Sequence, residues 1–247
     1  METLDPFDFE QEGLRRFFRT FDLPLQPNYS MNEVLLIVVA YLIGSIPTAV
    51  WISKGFFGVD IRDYGSGNSG ATNTFRVLGS RWGVAVMIID ILKGFLAVKL
   101  AWLMPYYIDH ELARTGFQVG LGLAAMLGHI FPIWADFRGG KGVATLFGLV
   151  LGISPWTAIC CVGVFLLVLY VTRFVSLSSI LASVAFPVFI LIIFNVDNIA
   201  YRVFAVAVAL LVILTHQKNI GRLLRGSESK VPILKYRDRR RDRRRNK

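Results

Sequence analysis

Gly142-Val-Ala-Thr-Leu-Phe-Gly-Leu-Val-Leu-Gly-Ile-Ser-Pro-Trp-Thr-Ala-Ile-Cys-Cys-Val-Gly-Val-Phe-Leu-Leu-Val-Leu-Tyr-Val171 contains no charged side chain, and how it folds decides the architecture. Taken whole, it makes one long tilted helix. Interrupted at Gly152 to Pro155 it makes two, the first running from about Val143 to Ile153. Five more apolar runs surround it: Glu33 to Ile52, Trp82 to Met104, Gly116 to Trp134, Ser179 to Phe194 and Ile199 to Thr215. A helix rises about 1.5 Å per residue and a bilayer core is about 30 Å thick, so runs of this order are membrane spans. The unbroken reading yields six spans and the broken one seven.

Charge separates the two readings. Lys218 to Lys247 holds 13 Lys or Arg against 3 acids, whereas the rest of the chain is balanced at 14 and 14. Lys54 to Arg81 carries four basic residues, while Pro105–Thr115 and Asn195–Asn198 together carry only Arg114. Basic loops stay cytoplasmic, so the Lys54–Arg81 loop and the C-terminal tail belong on one side. That requires the broken reading. The expected fold is all-α, a polytopic integral membrane protein with seven transmembrane helices, N-terminus outside and C-terminus cytoplasmic. Its fourth helix, roughly 16 Å long, must be bent or sheltered by neighbours. Lys54–Arg81, Ala135–Gly142, Thr172–Ser178 and His216–Glu228 then share the cytoplasmic face.

The composition, 54% hydrophobic with mean hydropathy +0.54, excludes an ordinary soluble globule. Residues 31–228 form the membrane domain, residues 1–30 an extension and residues 229–247 a basic tail. The extension lacks the continuous apolar stretch of a cleaved signal peptide. Phe17, Phe18 and Phe21 beside Arg15, Arg16 and Arg19 suit either a short interfacial helix or a poorly ordered segment. Met31, just before the first span, is a candidate start of a shorter chain. The Arg-rich end is drawn to anionic lipid. No folded nucleic-acid module accompanies it, so no specific nucleic-acid partner is expected. Cys160 and Cys161, adjacent in an apolar run, read as packing residues and build neither a disulfide framework nor a zinc site. Neither a metal nor a cofactor is expected. The oligomeric state is open.

Polar, glycine-rich stretches interrupt the apolar pattern. Asp60-Ile-Arg-Asp-Tyr-Gly-Ser-Gly-Asn-Ser-Gly-Ala-Thr-Asn73 combines flexible main chain with hydroxyl, amide and guanidinium donors, which suits a phosphate. A plain flexible loop is the rival. Arg138-Gly-Gly-Lys-Gly142 is a second such element. It is not a nucleotide-binding P-loop, because Gly142 follows the lysine where Ser or Thr is required. Lys141 there is either a point charge for an anion or a positive-inside anchor. His129, after Gly128 and before Phe131-Pro132, is a helix-packing residue or a ligand-orienting one. The run Gly120, Gly122, Ala124, Ala125 and Gly128 reports tight helix packing. Asp90 and Lys93, three apart on one helix face, make a structural pair, a support for the site, or the charged pair of a proton-coupled transporter. His216, Asn219, Arg222 and Leu223 have helical spacing. No Gly-x-Ser-x-Gly nucleophile elbow is present, nor the His-x4-Asp signature of the commoner acyl-ester-forming acyltransferases, since Trp134 stands five residues after His129.

Together these stretches resemble a known family. Gly44-Ser-Ile-Pro47, Asp60-Ile-Arg62, Gly65-Ser-Gly-Asn68, Gly70-Ala-Thr-Asn73, Gly128-His129, Phe131-Pro132, Gly139-Gly-Lys-Gly-Val-Ala-Thr145 and His216, Asn219, Arg222 and Glu228 are similar to the bacterial acyl-phosphate:glycerol-3-phosphate acyltransferases, in the same order from about Met31 to Glu228. The resemblance implies a seven-helix inner-membrane enzyme that moves an acyl chain from acyl phosphate to the 1-position of glycerol 3-phosphate, without a covalent acyl-enzyme. It implies Arg62 and Lys141 on the glycerol-3-phosphate phosphate. It also implies Ser66, Gly67, Asn68, Thr72, Asn73, Gly139, Gly140 and Gly142 around the acyl phosphate. His216, Asn219 and His129 would orient the reacting groups, supported by Arg222, Glu228, Asp90 and Lys93. Membrane lipids and functional coupling to the soluble acyl-phosphate-producing enzyme are the further partners implied. An organic-phosphate membrane transporter is the alternative, since paired membrane charges and anion loops would serve it too.

Overall fold

The computed structural model describes residues 30–231, and these are helical, joined by short turns. The expectations for Phe17 to Phe21 and for the Arg-rich end from Arg237 lie outside the described residues. The first apolar run is two helices, α1 (Met31–Gly44) and α2 (Thr48–Phe57), bent by 41° across Ser45-Ile46-Pro47. Proline brings no N–H to the helical ladder, so the break falls there. A polar loop with a 3-10 turn at Ile61–Asp63 leads to α3 (Ala71–Val77). Then come α4 (Ser80–Lys99), the short α5 (Pro105–Asp109) and α6 (Glu111–Ile130).

The uncharged run from Gly142 to Val171 is broken. Helix α7 (Val143–Ile153) ends at Ser154, whose φ of −137° and ψ of 88° are not helical, and α8 (Pro155–Thr172) starts with proline in its first position. Proline pushes the residue before it out of the α region, and its own missing N–H costs nothing at a helix start. Helix α9 (Val175–Val188) continues as a π turn, Phe189–Ile193. Helices α10 (Ile199–Thr215) and α11 (Gln217–Leu224) meet at 60°.

Glycines set two close helix crossings. A Cβ at Gly94 of α4 would collide with the Thr145 carbonyl, and one at Gly148 of α7 with the Ile91 carbonyl, so these helices touch backbone to backbone. Gly44 and Gly128 do the same for α1 and α6. Of the small residues expected to pack, Gly122, Ala124, Ala125 and Gly128 do, while Gly120 faces open space. Leu149, Phe186, Tyr201, Phe204 and Val208 fill the core between α7, α9 and α10.

The expectation of seven transmembrane helices is corrected. By length and apolarity three helical stretches can cross a membrane: Glu111–Ala135, Pro155–Thr172 and Val175–Ile193. The number reaches five among the described residues if α1 with α2 and α10 with α11 each count as one bent span. Two of the seven fail for physical reasons. Helix α7 has 11 residues, about 16 Å at 1.5 Å each, short of the bilayer core. Helix α4 is long enough but carries Arg81, Asp90, Lys93 and Lys99. Two of those charges serve broken helix ends. Lys93 Nζ donates to the Ile46 carbonyl at the α1–α2 break (3.2 Å), and Lys99 Nζ donates to the Gly152 carbonyl at the end of α7 (3.0 Å). A helix whose lysines satisfy its neighbours' orphan carbonyls reads as polar in sequence while sitting among apolar ones.

Candidate functional site

The first glycine loop is folded around two side chains. Asn73, 1% exposed, donates from Nδ2 to the Ile61 and Tyr64 carbonyls (3.1 and 2.9 Å), and its Oδ1 accepts the Ser66 N–H (2.8 Å). Gly65 and Gly67 sit at φ of 63° and 72° inside this loop, a conformation that suits glycine. Arg62 is clamped by Asp60 through Nε–Oδ1 (2.9 Å) and Nη2–Oδ2 (2.7 Å), while Nη1 donates to the Ala135 carbonyl (2.9 Å). The Arg62 hydrogen bond holds the Asp60 carboxyl well below the usual carboxylate range, and Asp60 in turn raises Arg62. Arg62 therefore ties the first loop to the turn before the second. Ser69 Oγ touches the Arg138 carbonyl nearby (3.5 Å).

Two polar centres flank Gly139-Gly-Lys141. In the first, Asp90 Oδ1 accepts from Thr48 Oγ1 (3.0 Å) and Lys93 Nζ (2.9 Å), with His129 Nδ1 3.8 Å away. Asp90, Lys93 and His129 are all buried. A small pocket between them and Gly139 is lined by Pro47, Thr48 and Ser69.

The second centre is built on Lys141, which donates to Asn219 Oδ1. Asn219 Nδ2 donates to Glu228 Oε1 (2.7 Å), Ser176 Oγ to the same oxygen (2.9 Å), and Arg222 Nε to Oε2 (2.6 Å). Burial pushes Glu228 up, but the hydrogen bonds from Arg222, Asn219 and Ser176 outweigh it and hold the carboxyl below its ordinary value. Burial pushes Lys141 down to about 8, reinforced by the positive charges of Arg222 and Arg76 and opposed by Glu228. His216 Nδ1 lies 2.8 Å from the Val212 carbonyl. A carbonyl only accepts, so this contact assigns the proton to Nδ1 and leaves Nε2 as the acceptor.

The structure thus gathers Lys141, His216, Asn219, Arg222 and Glu228, and separately gathers Asp90, Lys93 and His129 beside Gly139 and Gly140. Arg62 belongs to neither: its guanidinium is engaged by Asp60. Asn73 is buried in its own loop, and Ser66 and Thr72 are exposed. The main-chain N–H groups of Gly139 and Gly140 donate to the Ile130 and His129 carbonyls (3.0 and 3.1 Å), so they are not the anion donors the glycines suggested. Arg76, one helical turn past Thr72, belongs in sequence to the donors of the first glycine loop but acts here on Lys141. One member of the second centre, Ser176, escaped the sequence reading of the site. It lies near the start of α9, just after the apolar α8, with no other signal.

The chain is similar along most of its length to known proteins. The family model for glycerol-3-phosphate acyltransferase matches residues 34–226. The chain is 40% identical over 233 residues to a glycerol-3-phosphate acyltransferase of Chlorobium chlorochromatii, covering 83% of this chain and all of the relative. It is 46% identical over 195 residues to that of Fusobacterium nucleatum, covering 78% and 95%. The crystal structure of PlsY (YgiH), an integral membrane glycerol 3-phosphate acyltransferase, superposes in its glycerol 3-phosphate form with a TM-score of 0.74 at 36% identity, over 83% of this chain and 98% of that one. The lysophosphatidic acid form superposes with a TM-score of 0.70, also at 36% identity, over 80% and 94%.

Proposed function

The chain belongs to the glycerol-3-phosphate acyltransferase family, and from that premise we propose how its second polar centre moves an acyl group. The protein is a multi-pass bacterial inner-membrane enzyme. It transfers an acyl chain from acyl phosphate to glycerol 3-phosphate, giving lysophosphatidic acid and phosphate. The observation that carries the site assignment is Lys141, half-buried at the start of α7 and facing Asn219, with Arg222 and Arg76 near enough to depress its pKa. Lys141, with Arg222 held on Glu228 and Arg76 within electrostatic reach, suits a multiply charged anion. The first N–H groups of α7 add the positive end of a helix dipole.

In this reading Lys141, Arg76 and Arg222 grip the phosphates, with Arg62 reassigned to bracing the first loop. Asn219 and His216 line the pocket and orient the reacting groups. The hydroxyl oxygen forms the new ester bond to the acyl carbon. The anhydride carbon–oxygen bond breaks, its electron pair leaves with phosphate, and the hydroxyl proton passes to that departing phosphate. No protein nucleophile is required; positioning and charge stabilisation supply the rate. Asn68, Ser66 and Thr72 remain the groups proposed to meet the acyl phosphate from the rim of the first loop.

We further propose that this face is cytoplasmic. Ser69 meets Arg138, and Lys141 meets Asn219, contacts that support one shared side for both glycine loops and the C-terminal segment. The 13 basic residues from Lys218 to Lys247 favour the cytoplasm for that side. A soluble enzyme that makes acyl phosphate can then deliver it directly. The test is purified protein in lipid with palmitoyl phosphate and glycerol 3-phosphate. Lysophosphatidic acid and free phosphate are expected, with no product when palmitoyl-CoA replaces palmitoyl phosphate. Robust use of palmitoyl-CoA with none of palmitoyl phosphate would overturn the donor.

A further inference from the structure

The Asp90–Lys93 pair and His129 stand outside the transfer chemistry proposed above, yet they are buried at 2%, 4% and 6% exposure. Bringing an ion pair into an apolar interior costs several kcal/mol per ion and adds no stability over apolar residues of the same size. Charges at such a place call for a geometric reason. Lys93 Nζ holds the Ile46 carbonyl and Asp90 Oδ1 holds the Thr48 hydroxyl, so the pair grips both sides of the α1–α2 break. His129 Nδ1 faces Asp90 Oδ1 at 3.8 Å and has no closer hydrogen-bond partner. The other side of the same ring lies against Gly140: a Cβ there would collide with Nε2. The His129 carbonyl also accepts the Gly140 N–H at 3.1 Å. Lys141 is the next residue.

We propose that Asp90, Lys93 and His129 are positioning residues that fix the backbone immediately before Lys141 and so aim its ammonium into the anion site. This deepens the acyl-transfer reading and rests on it. A rigid pedestal matters because a lysine stem is long and flexible, and a shift of about 1 Å in a positioned group can cost on the order of a hundredfold in rate. The short path from the Asp90 carboxylate to His129 and on to Gly140 leaves Lys141 little freedom. His129 touches glycine main chain where a proton-transfer residue would touch substrate.

A double-mutant cycle separates positioning from plain structural support. Equilibrium binding of labelled glycerol 3-phosphate is measured on full-length protein in detergent for His129→Leu, Lys141→Ala and the combination. A second cycle uses the paired replacement Asp90→Leu with Lys93→Met, which leaves no unpaired buried charge and carries the test if His129→Leu fails to fold. Expected is about a tenfold loss of affinity in the otherwise unaltered protein and less than about twofold in the Lys141→Ala background, because groups that act through one another are non-additive. Equal losses in both backgrounds would overturn the proposal. Failure of the unaltered protein to acylate glycerol 3-phosphate would sink the function, while the binding cycle would still report on the positioning.

Discussion

Lys141 makes the sharpest test of the site, because removing it and titrating it should have matching consequences. With its pKa lowered to about 8, the free enzyme carries the ammonium in about nine molecules of ten at pH 7 and in about one of ten at pH 9. A basic group is charged below its pKa, so the phosphate grip is present at low pH and lost as pH rises through 8. The apparent kcat/KM for glycerol 3-phosphate reports the free enzyme. It should therefore be level from pH 6.5 to 7.5 and fall towards tenfold per pH unit above about 8.5. Losing a charge-assisted contact costs about 1.5–3 kcal/mol, so Lys141→Ala at pH 7 should lower kcat/KM by roughly ten- to a hundredfold. The same variant should flatten the profile, and Lys141→Arg should push the fall beyond pH 10. The assay is initial-rate release of phosphate from palmitoyl phosphate at each pH, with membrane insertion verified first. If Lys141→Ala keeps the fall above pH 8, the titrating group lies elsewhere and the proposed phosphate grip is wrong.

The two arginines should behave differently. Arg76→Ala should lower kcat/KM for glycerol 3-phosphate by about tenfold with little change in Tm, as loss of one exposed phosphate contact would. Arg62→Ala should lower Tm by several degrees and affect both substrates, since it leaves Asp60 without its clamp and cuts the tie to Ala135; a normal Tm with only the glycerol 3-phosphate KM raised would restore Arg62 to the phosphate. For topology, cysteines at the exposed Ser66 and Ser227, introduced after replacing Cys160 and Cys161, should both react with an impermeant thiol reagent from the cytoplasmic side alone, and labelling from opposite sides would refute the shared face.

Much of this arrangement was legible because glycine, proline and charge each report a local physical requirement. Pro155 breaks the uncharged run where the sequence suggests, and Lys141, His216, Asn219, Arg222 and Glu228 meet as their motifs imply. Three features were hidden. The bend at Ser45-Ile46-Pro47 lies inside a continuous apolar run, and its carbonyls are satisfied from another helix. Arg62 stands in a phosphate-friendly loop, yet Asp60, two residues earlier, captures it; composition alone does not reveal which anion a guanidinium will choose. Gly139 and Gly140 look like main-chain donors, but their N–H groups close on α6, and their smallness serves the approach of His129.

The miscounted spans have the same origin as the precision of the site. Asp90, Lys93 and Lys99 make α4 too polar to qualify as a simple membrane helix, and α7 is too short to cross one alone. These two helices are also the pair that touches backbone to backbone through Gly94 and Gly148. The lysines of α4 reach the carbonyl of Ile46 at one break and that of Gly152 at another, which satisfies a helix-end carbonyl in an apolar setting at each. Where α7 starts, Lys141 stands beside Asn219 in the centre proposed to bind the anion. A full-length helix there would have carried its N-terminus elsewhere. The polar spine of α4 thus accompanies a short helix that begins beside Lys141, and the charges that obscure the membrane topology are part of what supports the proposed anion site.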